Sequence, residues 1–68
     1  MNIAERVNHH ISKTSPKVIC DGCIALALGL RHQQANRVTM ALATTGEYTR
    51  RKGICDICSK ERTVIWRV

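Results

Sequence analysis

Near the start of the chain, apolar Ile3, Val7 and Ile11 recur at i, i+4 and i+8, with Ala4 beside them and polar residues between. This spacing lays one apolar stripe along a helix and predicts a first helix over 2–13. Asn2 can cap its start. Ser12-Lys13-Thr14-Ser15-Pro16 ends it, because the residue before a proline avoids the helical region. Val18-Ile19 is apolar but long enough only for a strand fragment. Residues 23–28 then carry Ile24, Ala25, Leu26, Ala27 and Leu28, which predict a short second helix with Asp21 placed as its N-cap. Gly29 breaks that run, as a left-handed residue at a helix end does. In the third helix, which fills 33–43, Ala35, Val38 and Leu42 fall at i, i+3 and i+7. The opposite side presents Arg31, His32, Gln33, Asn36, Arg37 and Met40, and Thr44-Thr45-Gly46 stops the helix.

Beyond Gly46 the period changes. Residues 47–54 and 63–68 predict two strands of a hairpin, and Thr63-Val64-Ile65-Trp66-Arg67-Val68 is the strongest β stretch in the chain. Alternation puts Val64, Trp66 and Val68 on one of its faces. No repeat, low-complexity segment or linker interrupts residues 1–68, which read as a single α+β domain of three helices and a C-terminal β-hairpin.

Composition explains why patterning alone is too little. A chain of 68 residues buries only about 60% of the surface that its unfolded form exposes. There is no Phe, and Tyr48 and Trp66 are the aromatic residues, so the core is aliphatic and thin. Domains of this size commonly add a staple: disulfides, a metal or a partner subunit. Four cysteines supply the means for the first two. The opening residues are amphipathic and interrupted by charge, unlike a signal peptide, and no apolar run approaches the roughly 20 residues of a membrane span. A reduced, cytoplasmic setting is therefore expected, where paired cysteines more often bind metal or do redox chemistry. A mature secreted form held by disulfides is the alternative.

Cys20, Cys23, Cys55 and Cys58 form two Cys-x2-Cys pairs separated by 31 residues. Two intervening residues let a tight turn aim both sulfurs at one tetrahedral centre, each about 2.3 Å from a zinc ion. The expectation is one structural Zn2+ per chain on these four cysteines, with disulfides, redox chemistry or an iron–sulfur centre as alternatives. A closed set of four thiolates argues against catalytic zinc, which keeps an open position. The second pair is similar to the zinc knuckles of ribbon proteins, with Ser59-Lys60 where Gly-Lys is usual. The 31-residue gap is long for a compact ribbon, and the two helices between the pairs fill it. His9, His10 and His32 share no local motif with the cysteines. A thioredoxin-like reading fails on size and leaves one of the two pairs unexplained.

The stretch Ala25-Leu26-Ala27-Leu28-Gly29-Leu30-Arg31-His32-Gln33-Gln34-Ala35-Asn36-Arg37-Val38 resembles a helix-turn-helix over residues 23–43. Ala25 matches the small residue of that family's first helix, Leu28-Gly29-Leu30 its turn, and Ala35 and Val38 the packing positions of its recognition helix. Arg31 stands where a capping Ser or Thr is usual. With the hairpin added, the element order resembles a winged helix-turn-helix. The chain as a whole also resembles a group of small uncharacterised bacterial zinc-binding proteins that carry Cys-Asp-x-Cys-Ile-Ala-x-Ala-Leu-Gly-Leu and a later Cys-x2-Cys.

The winged helix resemblance implies DNA binding. Gln33, Asn36 and Arg37 would meet base edges, while Arg31 and the basic run Arg50-Arg51-Lys52 would meet phosphates. A formal charge of +6, or +4 once four thiolates hold one zinc, suits such a polyanion. The other reading of the same features is a protein-interaction adaptor, inhibitor or accessory subunit, with the polar helix face and the basic strand simply solvated. A homodimer is compatible with either. No carboxylate pair, nucleophile–base pair or phosphate-cradling glycine loop suggests an enzyme.

Overall fold

A computed structural model describes residues 2–68. Six elements follow one another: α1 (Ile3–Thr14), β1 (Ile19–Cys20), α2 (Asp21–Leu28), α3 (His32–Leu42), β2 (Tyr48–Ile54) and β3 (Glu61–Arg67). The strands form one antiparallel sheet in the order β1-β3-β2. The β part is thus more than the expected C-terminal hairpin. Val18-Ile19 was too short to stand as a strand by itself, but Ile19 and Cys20 pair with Ile65 and Val64 on the free edge of β3.

The first helix forms where its stripe predicts. The Asn2 side chain accepts from the Glu5 N–H at 2.8 Å, the Ser15 N–H closes onto the Ile11 carbonyl, and Val7 and Ile11 are wholly buried. Gly29 takes the left-handed conformation with φ 67°, and the Leu30 N–H reaches back to the Ala25 carbonyl at 2.8 Å, closing α2. The Arg6 guanidinium also donates to the Leu28 carbonyl here, at 2.7 Å. At the start of α3 no capping hydroxyl stands at Arg31, but the Gln34 side-chain oxygen accepts from the Arg31 N–H at 3.0 Å, the reciprocal half of a capping box. Asp21 is the first residue of α2, and its expected N-cap position belongs to Cys20.

The sheet divides the interior in two. Ile19, Tyr48 and Ile65 turn toward the helices and join Val7, Ile11, Ile24, Ala25 and Ala35 in the main core. Their neighbours Cys20 and Val64 belong to a second cluster with Cys55, flanked by Val18, Trp66 and the other two cysteines. Period-two alternation makes this division, because adjacent residues of a strand face opposite sides. Of the face expected to be apolar, Val64 is buried and Trp66 half-buried, whereas Val68 is 80% exposed; Ile65, on the other face, is fully buried. Ile65→Ala should therefore cost about 2–5 kcal/mol in denaturant unfolding of the metal-loaded protein, and Val68→Ala less than about 0.5 kcal/mol.

Candidate metal centre

Cys20 ends β1, and Cys23 sits in the first turn of α2, so a strand-to-helix junction presents the first pair. The second pair lies in the connection between β2 and β3. That connection is a closed knuckle. The Ser59 N–H donates to the Cys55 carbonyl at 2.9 Å, and the Cys55 N–H donates to the Lys60 carbonyl at 3.0 Å. Asp56 locks it to the chain just ahead of β1: its N–H donates to the Val18 carbonyl at 3.0 Å, and its carboxylate accepts from the Val18 N–H at 2.8 Å. Ser59 carries the turn with φ 61°, in the left-handed region that glycine occupies most easily.

The four Sγ atoms lie within 4.8 Å of one another. Cys20 and Cys58 sulfurs are 3.8 Å apart, and Cys23 and Cys55 sulfurs 3.7 Å apart. Four sulfurs at about 2.3 Å from a common centre form a tetrahedron with edges of about 3.8 Å, so the spacing fits a coordinated metal ion. A disulfide needs about 2.05 Å, and all four cysteines are free. Cys55 is fully buried, Cys20 nearly so, and Cys23 and Cys58 are half-buried. No histidine belongs to the cluster.

Electrostatics divides the sulfurs. Burial pushes the Cys55 thiol up, but N–H donors of Cys58, Ile57 and Cys20 and the Cys58 side chain favour its thiolate more strongly, bringing it down to about 6. The Cys20 and Ile57 N–H groups stand 3.4 Å from its sulfur. Burial raises Cys20 and Cys23 above the ordinary thiol range, and the neighbouring sulfurs of Cys20, Cys55 and Cys58 raise Cys23 further. Without a cation the Cys55 thiolate is favoured, while Cys20 and Cys23 hold their protons. A metal ion at the centre would favour the thiolate at each ligand.

Asp21, next to Cys20, is buried and serves as a polar hub. Its carboxylate accepts from Asn36 and Thr39 at 2.8 Å each and from Arg50 at 3.2 Å. It thereby joins α2, α3 and β2 directly beside the sulfurs. Asn36 and Arg50, expected at a nucleic-acid surface, are half-buried and committed to this hub. Arg51 lies on the opposite face of β2, with its guanidinium 5.3 Å from the centre of the Trp66 ring. Lys52 pairs with Glu61 at 3.2 Å, both exposed. The basic run is thus split by strand alternation rather than gathered into one patch. Arg31, Gln33 and Arg37 are exposed. Sequence reading missed Asp21 as a hub, which no local signal marks. It also missed Lys60 and Arg62, which border the cysteines; the Lys immediately after Cys58-Ser59 was the available hint.

Comparison with protein-family models, with curated proteins and with solved structures finds no match. No helix among the described residues is long and apolar enough to cross a membrane.

Three outcomes follow from this geometry. Ser59→Gly should raise the unfolding free energy of the loaded protein by roughly 0.5–1 kcal/mol in denaturant titration, since the left-handed penalty exceeds glycine's entropy cost. Asp21→Ala strands Arg50 and the Asn36 amide and leaves the Thr39 hydroxyl only the Asn36 carbonyl, and should cost about 2–3 kcal/mol in the same titration. Metal loading at pH 7 should release protons from Cys20 and Cys23, held high, and few from Cys55, already mostly thiolate. Affinity should fall as pH drops from 8 toward 6, as measured by competition with a chromophoric chelator.

Proposed function

We propose that the chain is a structural-zinc domain of winged helix-turn-helix type that binds nucleic acid, most readily duplex DNA, through the exposed side of α3. Four thiolates in a tetrahedral cage suit zinc, which needs no further ligand there and no redox change. The element order, the sheet order β1-β3-β2 and the Gly29-Leu30-Arg31 turn between α2 and α3 support the winged helix reading. Ala25 and Ala35 are buried and Val38 packs against the core, as that resemblance implies.

The observation that carries the DNA reading is the exposed start of α3. Arg31, Gln33 and Arg37 are free at its surface, and Ala35, Val38 and Leu42 tie its other side to the core. In a major groove the N-terminal residues of such a helix reach base edges, where Gln pairs with adenine and Arg with guanine. Of the cations expected at phosphates, Arg31 stays free at the surface, whereas Arg50 is held by Asp21, Arg51 lies over Trp66 and Lys52 pairs with Glu61. A protein-adaptor role is the second reading. Leu26 on α2 is 85% exposed and Met40 on α3 is 54% exposed, apolar area that a protein partner would cover. Neither reading asks the chain to catalyse a reaction.

Native mass spectrometry should find one zinc per chain, and a colourless solution should exclude iron–sulfur. Chelation should unfold the domain or free the hairpin, as read by circular dichroism; an unchanged, folded apo-protein would overturn the structural role. Duplex DNA should bind at low salt and weaken steeply as salt rises. Arg37→Ala should lower discrimination among sequences by about 1–3 kcal/mol. Absence of binding to any duplex at low salt would transfer the case to the adaptor.

A further inference from the structure

A cleft of about 490 Å³ opens beside the cysteines. It runs between the start of α2, one side of α3 and the end of the hairpin. Cys20, Cys23 and Cys58 line it. Around them stand His32 and Asn36 from α3, Arg50 from β2, Lys60 from the knuckle, Arg62 from β3 and the exposed Leu26 of α2. His32 and Asn36 are one turn apart on α3. Their neighbours Gln33 and Arg37 are also one turn apart, so the cleft borders the helix surface assigned to DNA.

We infer that this cleft is an oxyanion site that holds a phosphate, with Lys60 and Arg62 as its principal cations. The source, a duplex backbone, rests on the DNA-binding reading above. Four observations carry the inference. Arg51 and Lys52 are engaged elsewhere, one over Trp66 and the other with Glu61, so the basic run of β2 does not form a phosphate clamp. Lys60 and Arg62 are exposed and have no ion-pair partner among the described residues. Arg50 gives one N–H to Asp21, yet its Nε–H is buried with no acceptor in the protein. Asp21 is the cleft's one carboxylate, and Asn36, Thr39 and Arg50 already satisfy it.

The metal matters to this site twice. It fixes the knuckle that carries Lys60 against the start of α2. Zinc on four thiolates would also leave two net negative charges beside the cleft, which Lys60 and Arg62 balance, so a phosphate would be held by directed N–H donors rather than by net charge. Guanidinium and ammonium donors around a partly enclosed space are what phosphate recognition requires.

The test uses the zinc-loaded full chain and the double variant Lys60→Gln/Arg62→Gln, with metal content checked by native mass spectrometry. Lys13→Gln/Lys17→Gln removes the same charge away from the cleft. Two probes are titrated: inorganic phosphate, followed by amide NMR shifts, and a duplex DNA across a salt series. Phosphate should shift the His32, Asn36 and Arg62 amides of the wild type and not those of the cleft variant. The slope of log affinity against log salt should fall by about 1.8 in the cleft variant, and by less in the control. Duplex binding whose slope survives in the cleft variant would overturn the inference and leave the DNA reading standing. Phosphate shifts without any duplex binding would uphold the oxyanion site, make free phosphate rather than a duplex backbone its source, and overturn the DNA reading. Failure of both probes would overturn both.

Discussion

Four thiolates crowded within 4.8 Å repel one another too strongly to coexist without a cation among them. This constraint organises the molecule. The chain has folded into a geometry whose sulfur spacings match a tetrahedral centre and whose backbone N–H groups already favour one thiolate. A small aliphatic core provides limited stability. A metal ion held there would add a cross-link between the start of α2 and the β2–β3 connection, segments far apart in sequence.

The clasp also reaches the rest of the fold through its neighbour. Cys20 is a ligand and Asp21 is the hub, consecutive residues at one strand-to-helix junction. Whatever holds Cys20 in place therefore holds the carboxylate that binds Asn36, Thr39 and Arg50. Asn36 and Thr39 lie on α3 and Arg50 on β2, so the orientation of α3 against the hairpin is coupled to the cysteine cluster by a single peptide link. A structural metal held there would reach the surface of α3 by that route without touching it.

That surface has two parts. Gln33 and Arg37 project freely, whereas His32 and Asn36 line a cleft with Lys60 and Arg62. Under the proposed DNA reading, base edges would meet the first part and a backbone phosphate the second. Leu26 on α2 and Met40 on α3 add exposed apolar area.

Local signals were legible in the sequence wherever a short-range rule applies. The Ile3-Val7-Ile11 stripe, the Asn2 cap, the stop before Pro16, the Gly29 break and the Ala35-Val38-Leu42 stripe depend on neighbours within one or two helical turns, and all appear in the structure. The four cysteines were legible as well, because two tight Cys-x2-Cys turns already pair the sulfurs. What the sequence could not determine by itself depends on pairing across long separations. The two-residue strand at Ile19–Cys20 exists only because β3 offers an open edge. The split of Arg50, Arg51 and Lys52 follows from register, which sends adjacent side chains to opposite faces. Asp21 looked like a cap and became a hub because folding brings Asn36, Thr39 and Arg50 to it. The metal ligands were thus written locally in the chain, while the surface they support was decided by tertiary contacts.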